Sequence, residues 1–170
     1  MFPQFNVYSG GYNMNRIKPI RAVAAGILGG LAASLVIFIL FRLIGFEYWG
    51  ILVDPQYQSP KLIMVWTELE PIPVAINHPE IMTLGFVALA VIHSFVFSVI
   101  KPGIPGEGWK KGLGFGAIVW LFSYLFFEFF TPWNMFGEPV TLVTLELLFW
   151  IPVALSEGIV IAKVCDVDSM

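Results

Sequence analysis

Apolar residues along this chain gather into four long blocks, Ala22 to Ile44, Ile81 to Ile100, Leu113 to Phe130 and Val140 to Val164, divided by stretches where proline, glycine and charge collect. A bilayer core about 30 Å thick needs about 20 apolar residues at 1.5 Å rise each, and every block meets or nearly meets that length. The pattern predicts an all-α polytopic membrane protein, its four transmembrane helices forming an antiparallel bundle over residues 22–164. A buried apolar hairpin in a soluble protein would not recur four times in so short a chain. Arg16, Lys18 and Arg21 precede the first block as they would a signal peptide. The block outruns the roughly 7–15 apolar residues of a signal, so it stays as a span.

The divisions between blocks have characters of their own. Phe46 to Pro79 carries prolines at 55, 60, 71, 73 and 79, a density that excludes a long helix. Within it, "PKLIMVWTELEP" has room for two or three helical turns, with Leu62, Val65, Trp66 and Leu69 on one face. Such a segment lies at the membrane interface or packs on the span ends. "KPGIPGEGWKKG" and "TPWNMFGEP" read as tight turns that leave their flanking spans antiparallel.

Composition agrees with the pattern. The chain is 58% hydrophobic and 12% charged, against about 25% charged in soluble domains. Charge then sets orientation. Seven of the nine basic residues (Arg16, Lys18, Arg21, Lys101, Lys110, Lys111 and Lys163) fall on the face that holds both termini, leaving Arg42 and Lys61 on the other. Basic residues near span ends are retained in the cytoplasm, so residues 1–21 and 165–170 are expected there and the loop 46–79 outside. The net charge of −3 averages two unlike faces and gives no footing for nucleic acid. Cys165, the single cysteine, admits no intramolecular disulfide.

Small residues mark where helices touch. Ala22, Gly26, Gly30 and Ser34 recur every four residues in the first block, with Ala25, Gly29 and Ala33 in a second row beside them. Such rows let two helix backbones approach closely. One row serves the bundle, and the surplus leaves room for a helix from another protein. The N-terminal tail "MFPQFNVYSGGYNMN" has no periodic apolar face, yet its aromatic residues Phe2, Phe5, Tyr8 and Tyr12 suit the pockets of a partner. Glycines 112, 114 and 116 allow close approach or a flexible start to the third span.

The ionisable residues inside the blocks are the candidate chemistry. His93 and Glu157 each lie seven residues before the same-facing end of their spans, about 10 Å deep. A lone charge there costs several kcal/mol while a hydrogen-bonded pair is tolerated, so His93 is expected to face Glu157, with Ser94 and Ser156 joining them. Glu128 and Glu146 form a second set toward the outer side. Glu146 and Glu157 are eleven residues apart, a rotation of only ~20° on a helix, and Pro152 between them is expected to kink it.

No Cys/His metal spacing, nucleophile elbow, phosphate-binding loop or catalytic triad is present, so no metal, catalytic residue or enzyme activity is expected. No cofactor is called for either; a haem or other porphyrin ligated by His93 is the alternative, and His78 lies at the wrong end of the span to assist. The stretch "HSFVFSVIKPGIPGEGWKKGLGFGAIVWLF", with "ELLFWIPVALSEGIVIAKV", resembles a loose group of small, uncharacterised four-helix bacterial membrane proteins. That resemblance implies four spans in a bacterial inner membrane and no activity. The leading expectation is a non-catalytic accessory subunit of a larger membrane complex, such as an electron-transfer complex, docking through span one and the tail. The alternative is a small homo-oligomeric transporter or channel that moves protons or a solute along Glu146, Glu157 and His93.

Overall fold

The computed structural model describes residues 18–166. Each apolar block becomes one continuous helix: α1 Pro19–Tyr48, then, after the loop helices α2 Pro60–Thr67 and α3 Val74–Asn77, α4 Pro79–Gly103, α5 Trp109–Met135 and α6 Val140–Cys165. All four long helices are long and apolar enough to cross a bilayer, and the described residues contain no strand. Pro19, Pro60 and Pro79 each open a helix, where the missing N–H costs nothing and the fixed φ is already helical.

The helices outrun the apolar blocks. The first reaches Tyr48 rather than Ile44, and the third runs from Trp109 to Met135 rather than from Leu113 to Phe130. Wider π turns at Phe38–Tyr48 and Phe129–Met135 carry the backbone past the block ends, and a third, at Trp120–Tyr124, lies within its span. Pro132, which cannot donate a backbone hydrogen bond, falls inside the Phe129–Met135 turn. "TPWNMFGEP" is therefore mostly helix, and the turn shrinks to the few residues around Gly137, whose φ is +67°. Helix α6 runs unbroken through Pro152. Trp120 Nε1 donates to Leu147 O at 3.0 Å, one residue before the carbonyl that the proline leaves without its usual donor.

Helix α1 packs between α4 and α6, and α6 between α1 and α5. Both small-residue rows of α1 are occupied within the chain. Gly26 and Gly30 lie against the backbone of Val91 and Val87 on α4, and Gly29 lies against Ile161 and the Glu157 carbonyl on α6. The room expected for a foreign helix on this face is filled by α6. The α5–α6 seam is about as close: a Cβ at Gly112 would stand 2.5 Å from Ile159 Cα, and one at Gly116 2.6 Å from Ala154 O. These glycines are therefore contacts, not a flexible start to the span. Helices α4 and α5 meet through side chains, Phe97 edge-on to Phe115 at 5.1 Å between centroids.

One end of the bundle, the terminal side, carries residues 18 and 166 and the Lys101–Asp166 ion pair (3.0 Å). The opposite end, the loop side, carries residues 49–78. There α2 forms where two or three helical turns were expected and folds onto the bundle. Ser59 Oγ donates to Phe136 O and Lys61 Nζ to Met135 O, both at 2.5 Å, and Trp66 packs against Phe46.

Candidate functional site

Helix α6 supplies the site with one stripe. Glu146, Trp150, Val153 and Glu157 follow one another at intervals of four, three and four, the spacing of a single helix face. Trp150, Val153 and Glu157 are buried and Glu146 is half-buried. Helix α5 answers with Tyr124 and Glu128, four residues apart and both buried. Helix α4 contributes His93.

Toward the terminal side, His93 Nδ1 and Glu157 Oε1 stand 2.7 Å apart, their side chains 13% and 2% exposed. Packing fixes this pair. Gly29 brings α1 onto the Glu157 backbone, and the His93 ring meets Phe115 edge-on at 6.4 Å. The serines do not join it, contrary to expectation. Ser94 Oγ donates to Ala22 O at 2.5 Å and approaches Val91 O, while Ser156 Oγ donates to Val153 O one turn back. A short hydroxyl side chain on a helix reaches its own or a touching backbone carbonyl before it reaches across a bundle. Ser94 thus ties α4 to the start of α1, and Ser156 serves its own helix.

Toward the loop side lies a cluster that sequence reasoning only half assembled. Glu128, Glu146 and Glu138 each bring a carboxylate oxygen within 4.8 Å of the others. Glu138, in the turn "TPWNMFGEP", is only 2% exposed, and Gln58 Nε2 donates to its Oε1 at 2.5 Å. Gln58 is itself positioned by donating to Leu52 O (3.2 Å) and by accepting the Ser59 N–H (2.7 Å). Burial holds the Glu138 carboxyl above its ordinary range, with the Gln58 bond acting in the opposite sense. Glu128 Oε1 accepts from Trp150 Nε1 at 2.5 Å. The second oxygens of Glu128 and Glu138 are buried without a hydrogen-bond partner.

Two rings separate the cluster from the pair. Tyr124 stacks on Trp150 at 4.3 Å with 8° between planes, and the Tyr124 hydroxyl is buried without a partner. From loop side to terminal side the interior therefore presents a carboxylate cluster, an indole and phenol stack, a second carboxylate and an imidazole. His78, the only other histidine, bonds Glu80 at 3.0 Å on the exposed loop-side end of α4. It lies fifteen residues from His93, ~22 Å along the helix, too far to share an iron with it. Among the described residues, sequence reasoning missed Glu138 and Gln58. The one signal for them was a carboxylate beside Pro139 in a turn with no basic residue nearby.

Fold and interior together define a multi-pass membrane protein whose four-helix bundle encloses ionisable side chains. No family model, curated protein or solved structure matches the chain.

Proposed function

We propose that this chain conducts protons or a small cation across a membrane along the interior face of α6. The observation that carries the reading is the single stripe of Glu146, Trp150 and Glu157, met by Tyr124 and Glu128 from α5 and by His93 from α4. Ionisable groups inside a bilayer are expensive, and a bundle held by packing alone has no need of five of them. On this reading the loop-side carboxylates receive the ion, and the Tyr124–Trp150 stack is the barrier between the two stations. When the ion is a proton, Glu157 passes it to His93 Nδ1, and the imidazolium releases one from Nε2 toward the terminal side. Both termini face the cytoplasm of a bacterial cell, in keeping with the basic residues gathered there.

The accessory-subunit expectation rested on a spare small-residue row in α1 and on the N-terminal tail. Val87, Val91 and Ile161 take up the rows, and residues 1–17 lie outside the described residues. The buried stripe is the stronger support. The test is flux. Purified protein in liposomes with an internal pH dye and an imposed potassium diffusion potential should acidify or alkalinise at least tenfold faster than empty liposomes. Glu157→Gln should remove that excess while the protein still elutes as a folded species. Wild-type flux no greater than that of empty liposomes, or undiminished flux in Glu157→Gln, would refute conduction; stoichiometric unlike chains co-purifying in mild detergent would restore the subunit reading.

A further inference from the structure

The carboxylate cluster supports a more specific statement about what it holds. Three acidic side chains converge there, and the surrounding donors are neutral: the Trp150 indole and the Gln58 amide. The ion pairs among the described residues use Glu47, Glu80, Glu157 and Asp166, and none uses Glu128, Glu138 or Glu146. Lys61, the basic residue of the neighbouring loop, is directed to Met135 O instead. Independently of the clustering, Glu128 Oε2 and Glu138 Oε2 are buried acceptors with no donor, on side chains only 1% and 2% exposed. A buried acceptor left without a donor keeps its full desolvation penalty. A cation satisfies several such oxygens at once.

We propose that Glu128, Glu138 and Glu146 bind a divalent cation of calcium size. The proposal rests on the conduction reading only in taking this cluster as the loop-side station, and it identifies the ion that occupies it. Carboxylate oxygens are hard ligands, and the absence of any Cys or His from the set disfavours zinc and copper. Calcium binds oxygen at about 2.3–2.6 Å, so two ligands on opposite sides of one ion stand about 4.8 Å apart. The three oxygens lie within 4.8 Å of one another, a spread that small side-chain rotations close onto one such ion. Magnesium demands near-ideal octahedral geometry at about 2.1 Å and keeps several waters, a poorer match to a buried site. The free oxygens of Glu128 and Glu138 offer bidentate contact. Three carboxylates around a 2+ ion leave one negative charge, which the Trp150 and Gln58 hydrogen bonds help to hold.

The test is equilibrium binding of radioactive calcium to the full chain in zwitterionic lipid nanodiscs after chelator treatment. The expected result is one saturable calcium per chain, with magnesium competing at least tenfold more weakly. Glu128→Gln and Glu146→Gln should each weaken binding at least tenfold, and Glu128→Asp, which keeps the charge, should weaken it less. Glu68→Gln, on the exposed loop, should bind as wild type does. Absence of saturable binding to folded wild-type protein overturns the proposal, as does equal loss in Glu68→Gln. Proton flux sensitive to Glu157→Gln without calcium binding would sink the cation site and spare conduction; calcium binding without any ion flux would do the reverse.

Discussion

Replacing Gly112 by alanine should force α5 away from α6. The added methyl carbon would stand 2.5 Å from Ile159 Cα and 2.7 Å from Gly158 O, where non-bonded carbons rest about 3.5–4.0 Å apart. Both obstacles are backbone, so no side chain can swing aside and the helices must part by about 1–1.5 Å. Overpacking of this kind costs about 1–3 kcal/mol. The upper half of that range is expected here, because membrane helices cohere by close packing without a hydrophobic drive between them. Gly158→Ala meets the Gly112 carbonyl and the Gly116 backbone from the other side. Once one methyl has separated the seam the second meets less resistance, so the double variant should lose about 1 kcal/mol less than the sum of the singles. Reversible unfolding in mixed micelles, followed by circular dichroism, measures all three. Gly85→Ala is the control, since nothing lies within 4 Å of a Cβ at that position. If Gly112→Ala unfolds within about 0.5 kcal/mol of this control, or if the two seam substitutions are additive, the close approach of α5 and α6 is not what holds them.

Two further expectations concern the interior. A double-mutant cycle of His93→Ala and Glu157→Gln should give a coupling of about 1–3 kcal/mol in the same unfolding assay, and simple additivity would mean that the 2.7 Å contact does not form. Glu138 binds its proton more readily when folded, its carboxyl being raised above the ordinary 4.5 by burial. Chelator-treated protein should therefore gain stability as pH falls through the folded titration, level off below about 4.5, and lose that stability as pH rises again. Glu138→Gln should reduce the slope of Tm against pH without abolishing it, because Glu128 and Glu146 face the same space; an unchanged slope would contradict the assignment.

Much of this arrangement was legible in the residues because it follows from length and period. Four apolar blocks define four spans, equal distances from like-facing ends place His93 opposite Glu157, and eleven residues put Glu146 and Glu157 on one stripe. What stayed hidden depends on where the chain returns after leaving the membrane. No periodicity says that Gln58 and Glu138, eighty residues apart, fold inward to complete the cluster begun by Glu128 and Glu146. The serines were assigned by depth alone, and depth does not distinguish a neighbouring side chain from a nearer backbone carbonyl. The rows of small residues announced close packing in α1 without revealing that α4 and α6 take one row each.

That last feature bears on how the molecule is made. Of the four long helices α1 leaves the ribosome before the others, and its Gly29 face is covered by α6, which follows the other three. Until Val140–Cys165 has inserted, Glu128 sits in a helix whose indole donor does not yet exist, and His93 has no carboxylate to meet. The nascent protein must carry these groups through an interval in which they have no final partners, and only the fourth insertion completes every contact together. Translation of α6 is thus the step that commits this bundle, and a ribosome that stalls before it leaves a product with bare glycines and unmatched polar groups facing lipid.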